Sequence, residues 1–167
     1  MTDVRIRQAR SEDAGALTEI AHAAKRSWGY PEAWMRSWSA ALTLDADAIA
    51  AMRVRVAEDD GGILGFRALA GEGRSIDLEH LWVRPDAMGR GIGRALVEDA
   101  RAEAAGRGAE MLVIESDPHA EAFYRGLGAT TVGAVPAPAP GAPDRSLPVM
   151  HLPVDQGSPS PDPHRPI

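Results

Sequence analysis

Apolar and polar residues recur along the chain with two different periods, which predicts strands interspersed with helices. Residues 76–83 and 111–114 are apolar-rich runs of strand length. Between them, residues 92–104 place an apolar side chain at every fourth position, the spacing of one helix face. Gly106 and Gly108 follow that pattern, where a helix is expected to end. The central part of the chain therefore predicts a strand, a helix and a second strand.

The N-terminal half predicts a further group of elements that ends in a β-hairpin. Ser11 is a predicted helix N-cap, and residues 59–62 supply the Asp-Asp-Gly-Gly turn of the hairpin. The predicted elements are a strand at residues 4–7, a helix carrying Ala14, Leu17, Ile20, Ala21 and Ala24, helical stretches at residues 31–41 and 45–52, and hairpin strands at residues 54–57 and 63–69.

Length and composition predict one soluble globular domain. The chain has 167 residues, of which 44% are hydrophobic, which is enough for one core and short for two. Strands are predicted at residues 130–135 and 147–154, on either side of a proline-rich segment at 136–143. Because residues 155–167 combine prolines with polar residues, we expect a single domain at residues 1–154 and a disordered tail.

A glycine-rich turn joins the strand at residues 76–83 to the following helix. It contains Gly89, Gly91 and Gly93, each separated by one residue. At a helix N-terminus, unpaired N–H groups and the helix dipole favour an anion, and glycine lets that anion approach the backbone. The turn predicts a diphosphate site, and a tight connection without a ligand is the alternative that the glycines alone leave open.

Two common phosphate-binding loops do not fit this turn. A nucleotide-hydrolysing P-loop ends in Gly-Lys-Ser or Gly-Lys-Thr, and the chain contains neither tripeptide. The dinucleotide-binding fingerprint requires another glycine at the position of Leu96. The sequence therefore excludes both as explanations of the turn.

A second motif follows the strand at residues 111–114. A short predicted helix ends in Phe-Tyr-x-x-x-Gly, beginning at Phe123, and the earlier turn reads Pro-x-x-x-Gly-x-Gly-Ile-Gly from Pro85. In this order and spacing, the two motifs closely resemble those of the GNAT superfamily of N-acetyltransferases. The resemblance is strongest over residues 75–133, extends to residue 154 and is absent from the tail. Residues 24–31 are similar to the N-terminal region of one uncharacterised subgroup.

The resemblance implies an α/β (α+β) fold with a mixed, mostly antiparallel central sheet, a splayed pair of parallel strands and flanking helices. It also implies acetyl-CoA as co-substrate, with the pantetheine arm between the strands at residues 76–83 and 111–116. Met88 stands where the family usually has Gln or Arg, and the family contact is chiefly through main chain. The implied cofactor-binding residues are Leu81, Trp82, Val83, Met88, Gly89, Arg90, Gly91, Ile92, Gly93, Arg94, Ser116, Asp117, Ala120, Phe123 and Tyr124.

Asp117 departs from the family pattern, which often has an asparagine that contacts the cofactor. A carboxylate cannot donate a hydrogen bond as an amide does, so the cofactor contact is in question. Asp117 also suits the N-cap of the helix that begins at Pro118.

Acetyl transfer to an amine requires a proton acceptor, because a free alkylamine is mostly protonated at neutral pH. Asp77 and Glu79 share a strand face by two-residue alternation and match positions from which the family recruits a base. We favour Glu79 over Asp77, with water or an ordinary solvated strand face as alternatives. His80 points the other way and is expected to be structural.

The departing thiolate of coenzyme A requires a proton or a hydrogen bond, which a tyrosine hydroxyl can supply at neutral pH. Tyr124 matches the family's tyrosine in that role. Its structural alternative is packing beside Phe123.

The resemblance implies that the acceptor enters between the first two helices and the loop that joins the last two strands. Trp28 and Tyr30 are predicted to line a cation–π pocket for an amine. Trp34 and Trp38, four residues apart, are instead predicted to face the core. The segments concerned are residues 25–38 and 136–145.

Net charge and cysteine content limit the cellular compartments and binding partners that the sequence allows. The net charge of −6 argues against a broad nucleic-acid contact, and no apolar run has membrane-spanning length. The chain has no cysteine, which removes disulfides, cysteine-ligated zinc and a cysteine-linked acyl intermediate, and we expect no metal cofactor. Without a charged-then-apolar leader, a cytoplasmic location is expected.

The sequence therefore predicts an acetyl-CoA-dependent N-acetyltransferase that acts on a primary amine of a small molecule by direct attack in a ternary complex. A protein or peptide amine is the alternative acceptor. The rival from another class is a non-catalytic acyl-CoA-binding module, and a homodimer is left open.

Overall fold

The computed structural model describes residues 3–155, which form a seven-stranded sheet and five α-helices. The strands are β1 (Arg5–Gln8), β2 (Arg53–Asp59), β3 (Gly62–Ala70), β4 (Ser75–Val83), β5 (Met111–Glu115), β6 (Thr130–Pro136) and β7 (Ser146–Pro153). The helices are α1 (Ala14–Arg26), α2 (Glu32–Ser37), α3 (Ala46–Ala51), α4 (Ile92–Gly106) and α5 (Glu121–Gly126). Short 3-10 turns precede α1, α4 and α5 at Ser11–Asp13, Pro85–Ala87 and Pro118–Ala120. No helix within residues 3–155 is long and apolar enough to cross a membrane.

The sheet has the order β1-β2-β3-β4-β5-β7-β6, and every neighbouring pair is antiparallel except β4 and β5. The parallel pair is matched only from Ser75–Met111 to Asp77–Val113. Beyond this point β4 continues beside β3 to Val83, while β5 continues beside β7. This geometry confirms the predicted mixed sheet with a splayed parallel pair.

Helices cover both faces of the sheet because each strand buries apolar side chains on alternate sides. On one face, α1, α2 and α3 pack against β2 and β3 through a core that includes Leu17, Met35 and Phe66. On the other face, α4 and α5 pack against β3, β4, β5 and β7, with Val97 and Leu112 in that core. The splayed pair β4–β5 therefore lies between the layer formed by α1, α2 and α3 and the layer formed by α4 and α5.

The start of α1 differs from the sequence prediction. Ser11 is not its N-cap, because Ser11–Asp13 form a 3-10 turn and the helix begins at Ala14. The Asp13 carboxylate instead accepts the Arg10 N–H at 2.7 Å and pairs with Arg7 at 2.9 Å. An ion pair to β1 thus fixes the chain direction here, which sequence spacing does not reveal.

The other predicted elements keep their order, with changes at their ends. The helix predicted at residues 31–41 is limited to Glu32–Ser37, and turns follow it. Asp45 is the N-cap of α3, and its carboxylate accepts the Ala48 N–H at 2.8 Å. The tail predicted at residues 155–167 lies outside the described residues, apart from Asp155 itself.

A buried arginine ties β3 to α4. Arg67 is fully buried, and its Nη2 lies 2.7 Å from Asp99 Oδ2 and 2.8 Å from Glu103 Oε1. Its Nη1 donates to the Arg53 carbonyl at 2.9 Å. Asp99 and Glu103 share one face of α4 because they are four residues apart. The charge of Arg67 is therefore satisfied only when helix and sheet are docked.

We predict that Arg67→Ala lowers the free energy of unfolding by about 3–5 kcal/mol, the usual cost of breaking a buried ion pair by removing one partner. Urea denaturation measures this change. The control is Arg74→Ala, since Arg74 pairs with Glu110 at 3.1 Å with both side chains largely exposed, and its loss should cost at most about 1 kcal/mol. Equal losses for the two variants would contradict the assignment.

Candidate functional site

The glycine-rich turn forms the N-terminus of α4. Gly89 and Gly91 have φ of 81° and 79°, in the left-handed region that favours glycine. Gly91 immediately precedes the first helical residue, and its carbonyl accepts the Ala95 N–H at 3.0 Å. A Cβ added to either glycine would meet no other atom within 4 Å. The turn therefore presents backbone amides at the positive end of a helix of 15 residues.

A cavity of about 380 Å³ extends from this turn along the end of β4 to α5. Its walls are mostly apolar, as suits an elongated ligand with one charged end. The predicted cofactor-binding residues that line it are Leu81, Trp82, Val83, Met88, Gly89, Gly91, Ile92, Gly93, Arg94, Ala120, Phe123 and Tyr124. Four lining residues lay outside the predicted set, namely Ala24, Trp28, Ala87 and His119.

Three predicted cofactor-binding residues do not line the cavity. Arg90 turns toward β2, where its Nη2 lies 3.7 Å from Asp59. Ser116 is buried, and its hydroxyl donates to the Asp117 carbonyl at 2.7 Å. The Asp117 carboxylate is engaged by other residues of the chain, as described below.

The splayed end of β4 leaves backbone groups free for a ligand. The Arg84 N–H donates to the Leu64 carbonyl of β3 at 2.8 Å. Because successive residues of a strand direct their amides to opposite sides, the amides of Leu81 and Val83 face away from β3. They face the gap that opens where β5 departs, so an extended chain can add there as a further strand.

Tyr124 lies on α5 at the wall of this cavity. Only 6% of its surface is exposed, and burial, together with the Asp117 charge, raises the pKa of its hydroxyl above the ordinary value. The group therefore remains protonated at neutral pH and is available to a ligand.

A second cavity, of about 180 Å³, lies at the splay and is rich in acids. It is lined by Asp77, Glu79 and Glu115, together with Leu78, Val113 and Leu147. Burial raises the pKa of Glu79, and the charges of Asp77 and Glu115 add to the shift. A raised pKa is the direction expected of a carboxyl group that exchanges a proton with a ligand.

A β-bulge brings Glu79 to this position. Ala68 pairs with His80 and Leu69 with Leu78, so Glu79 has no partner in β3. Asp77 and Glu79 nevertheless line the same cavity, as the sequence predicted from two-residue alternation. The sequence missed Glu115, whose place beside Asp77 depends on the β4–β5 register.

Asp117 is the centre of a buried polar cluster. Its carboxylate accepts hydrogen bonds from Lys25 Nζ at 2.6 Å, the Tyr30 hydroxyl at 2.9 Å and the His119 backbone N–H at 2.8 Å. Burial acts to raise the pKa of Asp117, but these donors outweigh it and the pKa lies below its ordinary value. The backbone contact to His119 confirms the predicted cap before α5.

The aromatic residues near α1 surround cations of the chain itself. Lys25 Nζ lies 4.3 Å from the Trp38 ring centroid, 5.1 Å from that of Tyr30 and 5.8 Å from that of Trp28. Burial lowers the pKa of Lys25, and the Asp117 carboxylate opposes this shift. The structure therefore places a lysine of the chain where the sequence predicted the ammonium group of an acceptor.

Trp34 and Trp38 have different surroundings. Trp38 packs against the core beneath α1–α3, as predicted. The prediction that Trp34 faces the core is wrong, since it stacks on Tyr30 and its indole N–H donates to the Pro140 carbonyl at 2.7 Å. Met35 is the residue of α2 that fills the core.

The loop between β6 and β7 is held against this aromatic group. The Arg145 guanidinium lies 4.9 Å from the Trp38 ring centroid and 5.6 Å from those of Tyr30 and Trp34. Arg145 Nη2 also reaches within 3.8 Å of Asp117. The route predicted for the acceptor, between residues 25–38 and 136–145, is therefore bridged by side chains.

The comparisons with known proteins agree with this architecture. The family model described as "Acetyltransferase (GNAT) domain" matches residues 50–128. The search of curated proteins finds no match.

Solved structures resemble the chain over nearly its whole length. A GCN5-related N-acetyltransferase from Rhodopseudomonas palustris is 25% identical with a TM-score of 0.75, covering 90% of this chain and 96% of that one. PaiA N-acetyltransferase from Thermoplasma acidophilum, solved with coenzyme A, is 19% identical with a TM-score of 0.73, covering 89% and 98%. A putative acetyltransferase from Salmonella typhimurium, solved with acetyl-CoA, is 23% identical with a TM-score of 0.66, covering 96% and 99%.

The family match contains the glycine-rich turn, the splayed strands and Tyr124, and the structural matches share the fold around them. Residues 50–128 therefore match a GNAT acetyltransferase domain, and the chain has the fold of GNAT N-acetyltransferases over nearly its whole length.

Proposed function

We propose that this protein transfers an acetyl group from acetyl-CoA to a primary amine of a small molecule, by direct attack in a ternary complex. The observation that carries the proposal is the cavity that connects the α4 N-terminus, the free edge of β4 and the Tyr124 hydroxyl. Structures of similar fold have been solved with coenzyme A or acetyl-CoA, which supports the same ligand here. The chain has no cysteine to carry an acyl group, which favours direct transfer.

Each part of the cavity suits one part of acetyl-CoA. The backbone amides of residues 88–94 hold the diphosphate, with Arg94 adding positive charge. The amides of Leu81 and Val83 bind the pantetheine arm in the splay and polarise the thioester carbonyl. The Phe123 ring packs directly over Gly93, since a Cβ added to Gly93 would lie 3.3 Å from it. The ring therefore confines the pantetheine arm to the cavity.

Two groups handle protons on either side of the thioester. Glu79, with its raised pKa, accepts a proton from the incoming ammonium, and Asp77 helps to set that pKa. The nitrogen then attacks the carbonyl carbon, and Tyr124 donates its proton to the sulfur as the C–S bond breaks. The nitrogen loses its second proton as the amide forms, and Tyr124 regains a proton from it or from solvent.

The closed side of the site favours a small acceptor over a peptide. The ribosomal-protein-S18-alanine N-acetyltransferase of Escherichia coli has a similar fold. At 20% sequence identity, this similarity gives no information about the acceptor of the present chain. In this chain, Trp34 and Arg145 bridge the groove in which an extended peptide would lie. The acidic cavity at Glu79 provides space and charge for a compact cation.

The test is a panel of small primary amines and short peptides with acetyl-CoA, reading released thiol. Thiol release with small amines and none with peptides is expected. Thiol release with peptides alone would show that the acceptor is a peptide or protein amine. Tight coenzyme A binding without thiol release for any amine would favour the non-catalytic acyl-CoA-binding module.

We predict that Gly91→Glu reduces coenzyme A affinity at least about 100-fold, because like charges placed together cost several kcal/mol. Isothermal titration calorimetry measures the affinity. Gly91→Ala is the matched control, since both variants place a Cβ at φ 79° but only the glutamate adds charge. Equal affinity of the folded glutamate and alanine variants would place the diphosphate elsewhere.

We predict that Glu79→Gln lowers kcat/KM by about 10²–10⁴, the range of general base catalysis, with acetyl-CoA binding intact. The acidic limb of the kcat/KM profile should lie above the ordinary glutamate range, because burial and neighbouring acids raise the pKa of Glu79. Asp77→Asn removes one negative neighbour, lowers that pKa and should move the limb to lower pH. An unmoved limb in Asp77→Asn, or a wild-type rate in Glu79→Gln, would exclude Glu79 as the base.

We predict that Tyr124→Phe lowers kcat about 10²-fold while coenzyme A affinity and the melting temperature change little, because only the hydroxyl is lost. The loss should be smaller at acidic pH, where solvent supplies the proton more readily. It should also be smaller for a thioester with a better leaving group. A loss of affinity in proportion to activity would show that Tyr124 acts by packing.

A further inference from the structure

His119 is a wall residue of the cofactor cavity, and the proposed mechanism gives it no role. Its ring stacks on Trp28 with centroids 5.4 Å apart and planes 8° from parallel. Tyr30 meets the ring at 88° to its plane, with centroids 5.2 Å apart, and its hydroxyl lies 3.0 Å from Nδ1. The imidazole is thus fixed in orientation, yet 44% of its side chain remains accessible.

The cluster around Asp117 decides which nitrogen of His119 carries the proton. Nδ1 lies 2.9 Å from Asp117 Oδ1, and an ionised carboxylate can only accept. In the neutral ring, Nδ1 is therefore the donor and Nε2, on the opposite edge, holds a lone pair. Within residues 3–155 Nε2 has no hydrogen-bond partner. The pair has the arrangement in which a carboxylate orients a histidine as a base.

The chemistry of amide formation calls for two proton acceptors. An ammonium group loses one proton before it attacks and a second after the C–N bond has formed, while sulfur gains only one. Glu79 lies in the acidic cavity, whereas His119 and Tyr124 line the cofactor cavity. The second proton is released after the nitrogen has joined the acyl carbon, on the cofactor side.

We propose that His119 is a further catalytic residue, whose Nε2 takes the second proton from the attacking nitrogen, and that Asp117 is its positioning residue. The inference rests on the proposed function. In the step, the C–N bond forms, the nitrogen gives a proton to Nε2, the C–S bond breaks with its electron pair on sulfur, and Tyr124 protonates the thiolate. His119 then returns its proton to the Tyr124 oxygen or to solvent, which leaves amide and coenzyme A.

Hydroxylamine tests this step because it is a small nucleophile, mostly neutral at pH 7.5, and requires no fitted acceptor site. It loses a single proton, after attack, so it isolates the transfer assigned to His119. The measurement is enzyme-dependent formation of acetohydroxamate from acetyl-CoA and hydroxylamine, with acetyl-CoA saturating. His119→Asn and His119→Gln are each expected to lower kcat about 10²-fold, with the KM for acetyl-CoA changed less than about threefold.

The two substitutions separate catalysis from packing. The asparagine amide can replace Nδ1 as donor to Asp117 but offers no basic nitrogen, and the glutamine amide reaches toward the Nε2 position. His22→Asn on α1 is the matched control, because His22 bonds the Thr18 carbonyl of its own helix and does not line the cofactor cavity, and it should keep the wild-type rate. Melting temperature and coenzyme A calorimetry check that each variant is folded.

Loss of turnover in both His119 variants, with folding and cofactor affinity intact, supports the proposal. A wild-type rate in His119→Asn would overturn it and assign His119 to holding Asp117. Absence of enzyme-dependent hydroxamate formation in the wild type would also overturn it. The amine panel decides the acetyltransferase function separately, so thiol release there with an unimpaired His119→Asn would remove His119 and leave the function standing.

Discussion

The early end of the β4–β5 pairing is the constraint on which the site depends. After Asp77 and Val113 the two strands follow different neighbours, so no strand within residues 3–155 pairs with the edge of β4 that carries the amides of Leu81 and Val83. Unsatisfied backbone groups inside a protein are costly, which makes this edge a place for an extended ligand. The α4 N-terminus lies at one end of the opening and Tyr124 along its wall.

Asp117 holds the other side of the cavity together. A buried carboxylate is costly unless donors surround it, and here they come from α1, from the segment after α1 and from the turn before α5. Arg145 adds the β6–β7 loop to the same cluster. One ionised group therefore determines how α1, α5 and this loop meet, and it also orients the imidazole of His119.

The sequence by itself determined the order of elements and the glycine-rich turn at the start of α4. Both follow from local rules, since apolar periodicity marks strands and helices and glycine marks positive φ at a helix N-terminus. The same rules placed Tyr124 on a short helix after β5. They failed at Ser11, where an ion pair between Asp13 and Arg7 overrides the local capping signal.

Only the tertiary structure decided how distant side chains combine. Glu115 joins Glu79 through the register of a parallel pair and a bulge, neither of which has a local signature. Lys25 reaches Asp117 across 92 residues of sequence, and its charge takes the place that the aromatic pattern suggested for a substrate. Spacing along the chain specifies the face of an element, but the energy of a buried charge depends on every group that folding brings around it.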